Sequence, residues 1–398
     1  MNQVTYYWHN GRSLGHTFES AKFIRALLND APGVHVSAVT GAFHGTSALP
    51  AECDLFKLPG FRNFDSPTGY RLESRLELPY KEVLELRRRL ATEYLLTVRP
   101  DVLVVNHELR GYEAELHDAL VGLGSDTRRV LSMRGVMMDY AETRREYFDG
   151  DNGRFLLDHY DLLQVHIDPD VFDLADYYRL PKEFGRIMQY VGYPDEPYEV
   201  SGAEARHSLG LGEGRTVVAA MGGGQGAGPI WSTLLKALLR VPGADRILLF
   251  PGPYLEPSAR SALAQLAVAD PRVRILDPVD DLRPYLAAAD LFVGAAGAST
   301  ISEVLACRAN ALLVSRQLQE KEQEIHAQLL ARHGHVRALR LEEWTEHRIL
   351  TEAVSALDEP RPLVGPPALG GARRSSRIIS SMLPSTDPGP FESPSQGR

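Results

Sequence analysis

At 398 residues the chain exceeds what one hydrophobic core ordinarily serves, so two or more domains are expected. With 44% hydrophobic residues, 24% charged residues and a net charge of -9, it reads as a soluble globular protein without the basic balance of a nucleic-acid binder. Cys53 and Cys307 lie far apart and form no metal-type spacing, which suits a reducing cytoplasm. The opening MNQVTYYWHNGRSLGH shows no basic-then-apolar leader, and no stretch reaches the roughly 18 consecutive apolar residues of a spanning helix. A cytoplasmic location without a transmembrane segment is the expectation.

In chain order, Val4 to Trp8 is a β-branched and aromatic run that predicts the first strand. The turn GRSLGH follows, then helical spacing over 16–29, with Ala21, Ile24, Leu27 and Leu28 on one face. Val34 to Val39 predicts a second strand and Asp54 to Leu58 a short third; 59–80, rich in Pro, Gly, Asn and Asp, reads as a surface loop. An amphipathic helix is expected over 81–97, a buried strand at DVLVVNH (101–107) and a helix over 111–122. RRVLSMRG, DLLQVHI and IMQYVGY predict further strands, with helical segments at 140–158 and 169–177. PDEPYEVSG (194–202) is polar and proline-bearing, the best linker candidate. After it RTVVAAMG, RILLFPG, VRILDP, LFVG and ALLVS predict strands separated by helices, the first of these over 229–240.

Strands alternating with helices through both halves predict an α/β protein of two Rossmann-like, doubly wound parallel-sheet domains facing across a cleft. The expected division is 1–193, a linker at 194–202, a second domain over 203–365 and a tail over 366–398, with a possible helix at 373–383 and disorder beyond Pro384.

LFVGAAGASTISEVLACRANALLVSR (291–316) organises the chemistry. A strand, a turn of small residues and a helix start make an anion site, because the first backbone N–H groups are unpaired and the macrodipole is positive there. Ser299 or Thr300 is expected to cap that helix. Glu303, three residues after Thr300, either closes a capping box or reaches a ribose hydroxyl. MGGGQGAG (221–228) is a second glycine-rich βα turn, including Gly223, Gly224 and Gln225, but no acid follows at the distance of about 20 residues that a dinucleotide fingerprint requires. His16, after Gly15, stands at a helix N-terminus just past a strand's carboxyl end, where a lowered pKa keeps an imidazole neutral as a general base requires. Glu322 and Gln323 open the helix after ALLVS and carry groups suited to sugar hydroxyls. His107, Glu108, Glu115, Arg134, Asp139 and His166 all follow predicted strands and could line the other side of a cleft. No P-loop lysine motif, nucleophile elbow or metal-ligand cluster is visible in the sequence.

Together GRSLGH (11–16), GGGQGAG (222–228), GAAGASTISEVLA (294–306) and EKEQEIHAQLL (320–330) resemble the two-domain GT-B glycosyltransferases related to the peptidoglycan N-acetylglucosaminyltransferase, a family 28-like group. DLLQVHIDPDVF (161–172) and QYVGYP (189–194) are similar too, and the resemblance covers about residues 1–340. It implies a hexosyltransferase that binds a nucleoside diphosphate sugar, such as a UDP-sugar, on the second domain and the acceptor on the first. Glu303 would then hold the ribose, Gly297, Ala298, Ser299 and Thr300 the diphosphate, and Glu322 and Gln323 the donor sugar. Gly223, Gly224 and Gln225 would close over the diphosphate. His16 would be the base, and Gly15, His107, Glu108 and Arg134 would face the acceptor. Neither metal nor cofactor is implied. The chain departs from the family in the histidine loop, which has less glycine, and in reading GAST at 297–300 and NHELRGYE at 106–113. The expectation is an inverting transfer to a small-molecule acceptor in specialised metabolite synthesis, such as an antibiotic's, with no nucleic-acid partner. A nucleotide-sugar 2-epimerase and a non-catalytic nucleotide-sugar binder are the alternatives.

Overall fold

The computed structural model describes residues 2–9, 15–43, 45–66, 69–224, 226–315, 321–360 and 362–384. Fifteen strands are present among them: β1 Gln3–Trp8, β2 His35–Thr40, β3 Cys53–Lys57, β4 Phe61–Ser66, β5 Gly69–Ser74, β6 Val102–Asn106, β7 Arg128–Arg134, β8 Leu162–His166 and β9 Met188–Tyr190, then β10 Arg215–Ala220, β11 Ala244–Phe250, β12 Val273–Ile275, β13 Leu291–Ala295, β14 Ala311–Val314 and β15 Arg337–Leu339.

Seven strands form a first sheet in the order β3-β2-β1-β6-β7-β8-β9, and six form a second in the order β12-β11-β10-β13-β14-β15. Every neighbouring pair in both sheets is parallel. Parallel strands covered on both faces must be apolar throughout, and β6, β8, β13 and β14 are buried at every position. The strand order reverses between β1 and β6 in one sheet and between β10 and β13 in the other. Such switch points open a crevice at the strands' carboxyl ends, and the two crevices face each other.

One apolar cluster runs from the first sheet (Leu103, Leu131, Leu163) into the second (Val218, Leu248, Phe292, Leu313). The chain passes between the two sheets twice, and the passages lie side by side. Tyr193 N–H donates to Ala368 O at 2.8 Å, while Gly370 and Gly371 N–H donate to Asp195 O and Tyr193 O, each at 2.7 Å. The helix Gly371–Met382 then returns to the first sheet, where Ala372 and Ile379 join Val4, Ile24 and Val104 in a core. Residues 385–398, for which the sequence suggests disorder, lie outside the described residues.

Four details differ from the sequence reading. The surface loop expected over 59–80 contains an antiparallel hairpin, β4 with β5, whose strands are separated by two residues. The helix expected over 111–122 is broken into Tyr112–Ala114 and His117–Gly122, with Glu113 and Ala114 at positive φ. The helical segments at 140–158 and 169–177 are likewise shorter pieces, including a π-turn at Arg144–Phe148 and a short helix at Leu174–Tyr177. Finally β15 was not anticipated, because its three residues follow a glycine and a histidine and show no alternation long enough to read.

Candidate active site

The cleft between the facing crevices holds about 560 Å³. Gly15, His16, His107, Glu108 and Arg134 line its first-sheet wall, while Gly223, Gly297, Ala298, Ser299, Thr300, Glu303, Glu322 and Gln323 line the opposite wall. The structure thus brings together most of the residues singled out from the sequence, Glu115, Asp139 and His166 apart. Gly224 does not line the cleft either: its φ is +84°, and a side chain there would meet Pro251 O at 2.2 Å, so it packs the turn against the loop after β11. Gln225 lies outside the described residues, as does the turn 11–14.

On the second wall, β13 ends at Ala295 and the helix Ala298–Ala306 begins three residues later. The expected cap is corrected here. Gly297, extended at φ -69° and ψ 146°, occupies the N-cap with no side-chain cap bond, so Ser299 and Thr300 are inside the helix. Small residues permit this abrupt turn, and it leaves the N–H groups of the first turn facing the cleft without a capping oxygen. Glu303 consequently sits on the second turn and closes no capping box. Its Oε1 accepts from Lys22 Nζ at 3.2 Å, and Lys22 also donates to Asp195 at 2.7 Å. Asp195 accepts from Ser302 Oγ at 2.6 Å. Burial raises the Glu303 pKa and the Lys22 ammonium opposes that.

The first wall is built differently. Helix α1 (Gly15–Asp30) begins directly at the cleft, with Gly15 O accepting from Ser299 Oγ at 3.4 Å across it. The positive ends of two helices therefore converge on one space, a field suited to an anion. His16, half-buried, meets His107 edge to face with ring centroids 4.7 Å apart. Burial, then the charge of Arg134 and the neighbouring His107, hold the His16 pKa well below its ordinary value, so the ring is neutral near pH 7. His107 is pushed down to about 4, chiefly by burial and then by Arg134. It is buried and adopts φ +66°, a conformation costly for a residue with a side chain. Arg134 donates to Glu19 and to Glu322, each at 3.2 Å, and so joins the two walls.

Other candidates have structural roles. Glu115 is buried against Arg87, whose Nε and Nη2 both donate at 2.6 Å, and it accepts from Tyr7 Oη at 2.5 Å. Asp139 caps the helix Tyr140–Thr143 by accepting from Glu142 N–H. His166 bridges Ser132 Oγ at 2.8 Å and Glu19 at 2.9 Å behind the cleft. Sequence reasoning missed Glu19, Lys22 and Asp195. A single buried acid or lysine on an amphipathic helix has no spacing signature, although Glu19 and Lys22 lie three and six residues beyond His16 on the same helix.

His16, Glu19 and His107 bring ligand-type atoms within 4.8 Å of one another. Glu19 already accepts from His166 and Arg134, and the guanidinium beside it would repel a cation, so this donor set fits a metal poorly.

Residues 217–363 match the glycosyltransferase family 28 C-terminal domain. The UDP-N-acetylglucosamine--N-acetylmuramyl-(pentapeptide) pyrophosphoryl-undecaprenol N-acetylglucosamine transferase of Carboxydothermus hydrogenoformans is 30% identical over 165 residues, 40% of this chain and 43% of that protein. Its namesake from Caldanaerobacter subterraneus is 25% identical over 217 residues, 54% of this chain and 57% of that protein. The chain spans about half the length of the curated relatives it matches. Among solved structures, Acinetobacter baumannii MurG superposes with a TM-score of 0.58 at 15% identity, covering 96% of this chain and 100% of that one. A putative UDP-N-acetylglucosamine 2-epimerase from Listeria monocytogenes gives 0.61 at 12%, covering 96% and 95%, and the calicheamicin glycosyltransferase CalG4 gives 0.55 at 15%, covering 96% and 95%. At these identities the likeness shows fold alone.

Two parallel-sheet domains with opposed switch-point crevices, superposable on these structures nearly end to end, define the GT-B architecture. Within that class residues 217–363 match the glycosyltransferase family 28 C-terminal domain, and about half of the chain is similar to the N-acetylglucosamine transferases just named. Among the described residues no helix is long and apolar enough to cross a membrane.

Proposed function

We propose that this protein is an inverting, metal-independent glycosyltransferase acting on a nucleoside diphosphate sugar. The observation that carries the reading is the uncapped N-terminus of Ala298–Ala306 opposite His16 in one cleft. The helix end and its N–H groups stabilise the departing diphosphate, as oriented donors do where charge develops. Glu303 takes the ribose hydroxyls, and Glu322 and Gln323 the sugar. The acceptor lies against Gly15, His107, Glu108 and Arg134. A neutral His16 removes its proton as it attacks the anomeric carbon from the face opposite the diphosphate. Holding both reactants across the cleft supplies much of the acceleration.

The relatives' donor, UDP-N-acetylglucosamine, is the first to test, because the family match falls on the donor-binding half. We place the acceptor among small molecules; the lipid-linked acceptor in the relatives' names is the other arm of the test. Calorimetry with UDP, dTDP and GDP, with and without magnesium, comes first, followed by turnover of UDP-N-acetylglucosamine with each acceptor class. Metal-independent binding of one nucleotide supports the reading, and failure of all three at millimolar concentration ends it. An epimerase, to which the buried Glu19–histidine cluster lends some chemistry, would reveal itself by turnover of the donor alone.

A further inference from the structure

We propose that Glu19 is a positioning residue that ties Arg134 and His166 together behind the imidazole pair of the cleft and holds a negative charge there during proton transfer. This rests on the glycosyltransferase reading for its chemistry but stands on its own geometry. Glu19, on α1, is 3% exposed, and three groups from three further segments converge on its carboxylate. Arg134, ending β7, donates through Nε at 3.2 Å; His166, ending β8, donates through Nδ1 at 2.9 Å; His107, following β6, places Nε2 at 3.8 Å, beyond hydrogen-bond range but close enough to feel the charge. The second nitrogen of His166 faces Ser132 Oγ at 2.8 Å, so with that hydroxyl donating, the ring is set to give its Nδ1 proton to Glu19.

The pair in front is otherwise unanchored. Both His107 ring nitrogens and Nδ1 of His16 are buried without a hydrogen-bond partner, and both residues line the cleft. Buried polar atoms in that condition ordinarily meet a ligand or carry strain, and the positive φ of His107 is a sign of the second. Glu19 itself stays ionised: burial works against its charge, but Arg134 and the two histidines hold its pKa well below the carboxylate range.

In the reaction the acceptor hydroxyl gives its proton to His16 while its oxygen bonds to the anomeric carbon. The carbon–oxygen bond to phosphate breaks, and the nucleoside diphosphate leaves with that electron pair. The new imidazolium then lies beside Arg134, a like charge. Glu19 is the group that offsets it. Around His16 the charged and titratable neighbours are His9 after β1, Glu19 on α1, His107 after β6 and Arg134 on β7, with Glu322 of the helix Lys321–Arg332 reaching the group through Arg134. Of these acids Glu19 is the one whose carboxylate lies within 4.8 Å of ring nitrogens of both His16 and His107.

The test compares Glu19→Gln with Glu19→Asp, which keeps the charge if the neutral variant folds poorly. Loss of the charge lowers the pKa of both imidazoles. The acid limb of the kcat profile should therefore move to lower pH by about one unit while its plateau falls about 10- to 100-fold. UDP affinity stays within about twofold, since Glu19 reaches the second wall only through Arg134 and Glu322, which the reading places at the sugar and not at the nucleotide. Glu19→Asp should restore the position of the limb. Nitrogen-15 imidazole shifts in the ligand-free protein, read at neutral pH, should show changed tautomer populations for His107 and His166 in Glu19→Gln. An unmoved limb with unchanged imidazole shifts overturns the proposal, as does a plateau loss equal in both variants. If the wild-type protein binds no nucleotide, the functional reading falls while the imidazole shifts still decide the role of Glu19.

Discussion

The two walls of the cleft use opposite materials. The second-sheet wall is made of backbone and small side chains: Gly223, Gly297, Ala298, Ser299 and an uncapped helix end. The first-sheet wall is made of side chains held by other side chains, with His16, His107, Glu19, Arg134 and His166 interlocked. A backbone wall recognises what every donor shares, a diphosphate and a ribose. A side-chain wall recognises what is particular, and it changes whenever one residue changes.

Substitutions that strike one wall and spare the other break or sharpen this contrast. The largest effect is expected from His16→Ala, which should cut turnover by about 10²- to 10⁴-fold, the usual contribution of a general base. Nucleotide affinity by calorimetry should be nearly unchanged, and a parallel loss of both would mean that the walls are not separable. Glu115→Ala strands the buried Arg87 guanidinium and should cost about 3–5 kcal/mol of folding stability. Denaturant titration measures that loss, and UDP binding to the folded fraction should persist. Glu303→Gln keeps the shape but removes the charge that we propose meets the ribose. A loss of about 1.5 kcal/mol, roughly tenfold in nucleotide affinity, is expected with little change in acceptor KM. The smallest effect falls on the contact between walls: Lys22→Met frees Glu303 from a partner that the ribose must displace. Nucleotide affinity should rise by up to about fivefold, the scale of a partly exposed ion pair, and a fall would show that Lys22 itself touches the donor.

The same contrast governs what could be read in advance. The sheets were legible, because parallel strands buried on both faces announce themselves as apolar runs such as DVLVVN and ALLVS. The donor wall was legible because its chemistry is local: a strand, a turn and a helix start within one stretch put Gly297 to Glu303 in order. Even there the cap fell on Gly297 and not on Ser299 or Thr300, since a side-chain oxygen in sequence does not reveal the dihedral at which the helix starts. On the other wall His16, His107 and Arg134 could be placed at strand ends, but their mutual contacts come from pairing β1 with β6 and β6 with β7, which no local pattern states. Glu19, Lys22 and Asp195 act across more than a hundred residues of chain (Glu19 with Arg134, Lys22 with Asp195 and Glu303) and were invisible for that reason.

The return of the helix Gly371–Met382 to the first sheet has a consequence for biosynthesis. A ribosome makes β1 to β9 first, yet the surface formed by Val4, Ile24 and Val104 is finished only by Ala372 and Ile379. At about 5–20 residues per second, the roughly 180 residues between Tyr190 and Gly371 take some ten to forty seconds. During that interval the earlier-made half waits with an apolar flank open, while the later-made half can already close its own core. The half translated first is therefore completed late, and its open flank stays exposed to aggregation until the helix Gly371–Met382 emerges.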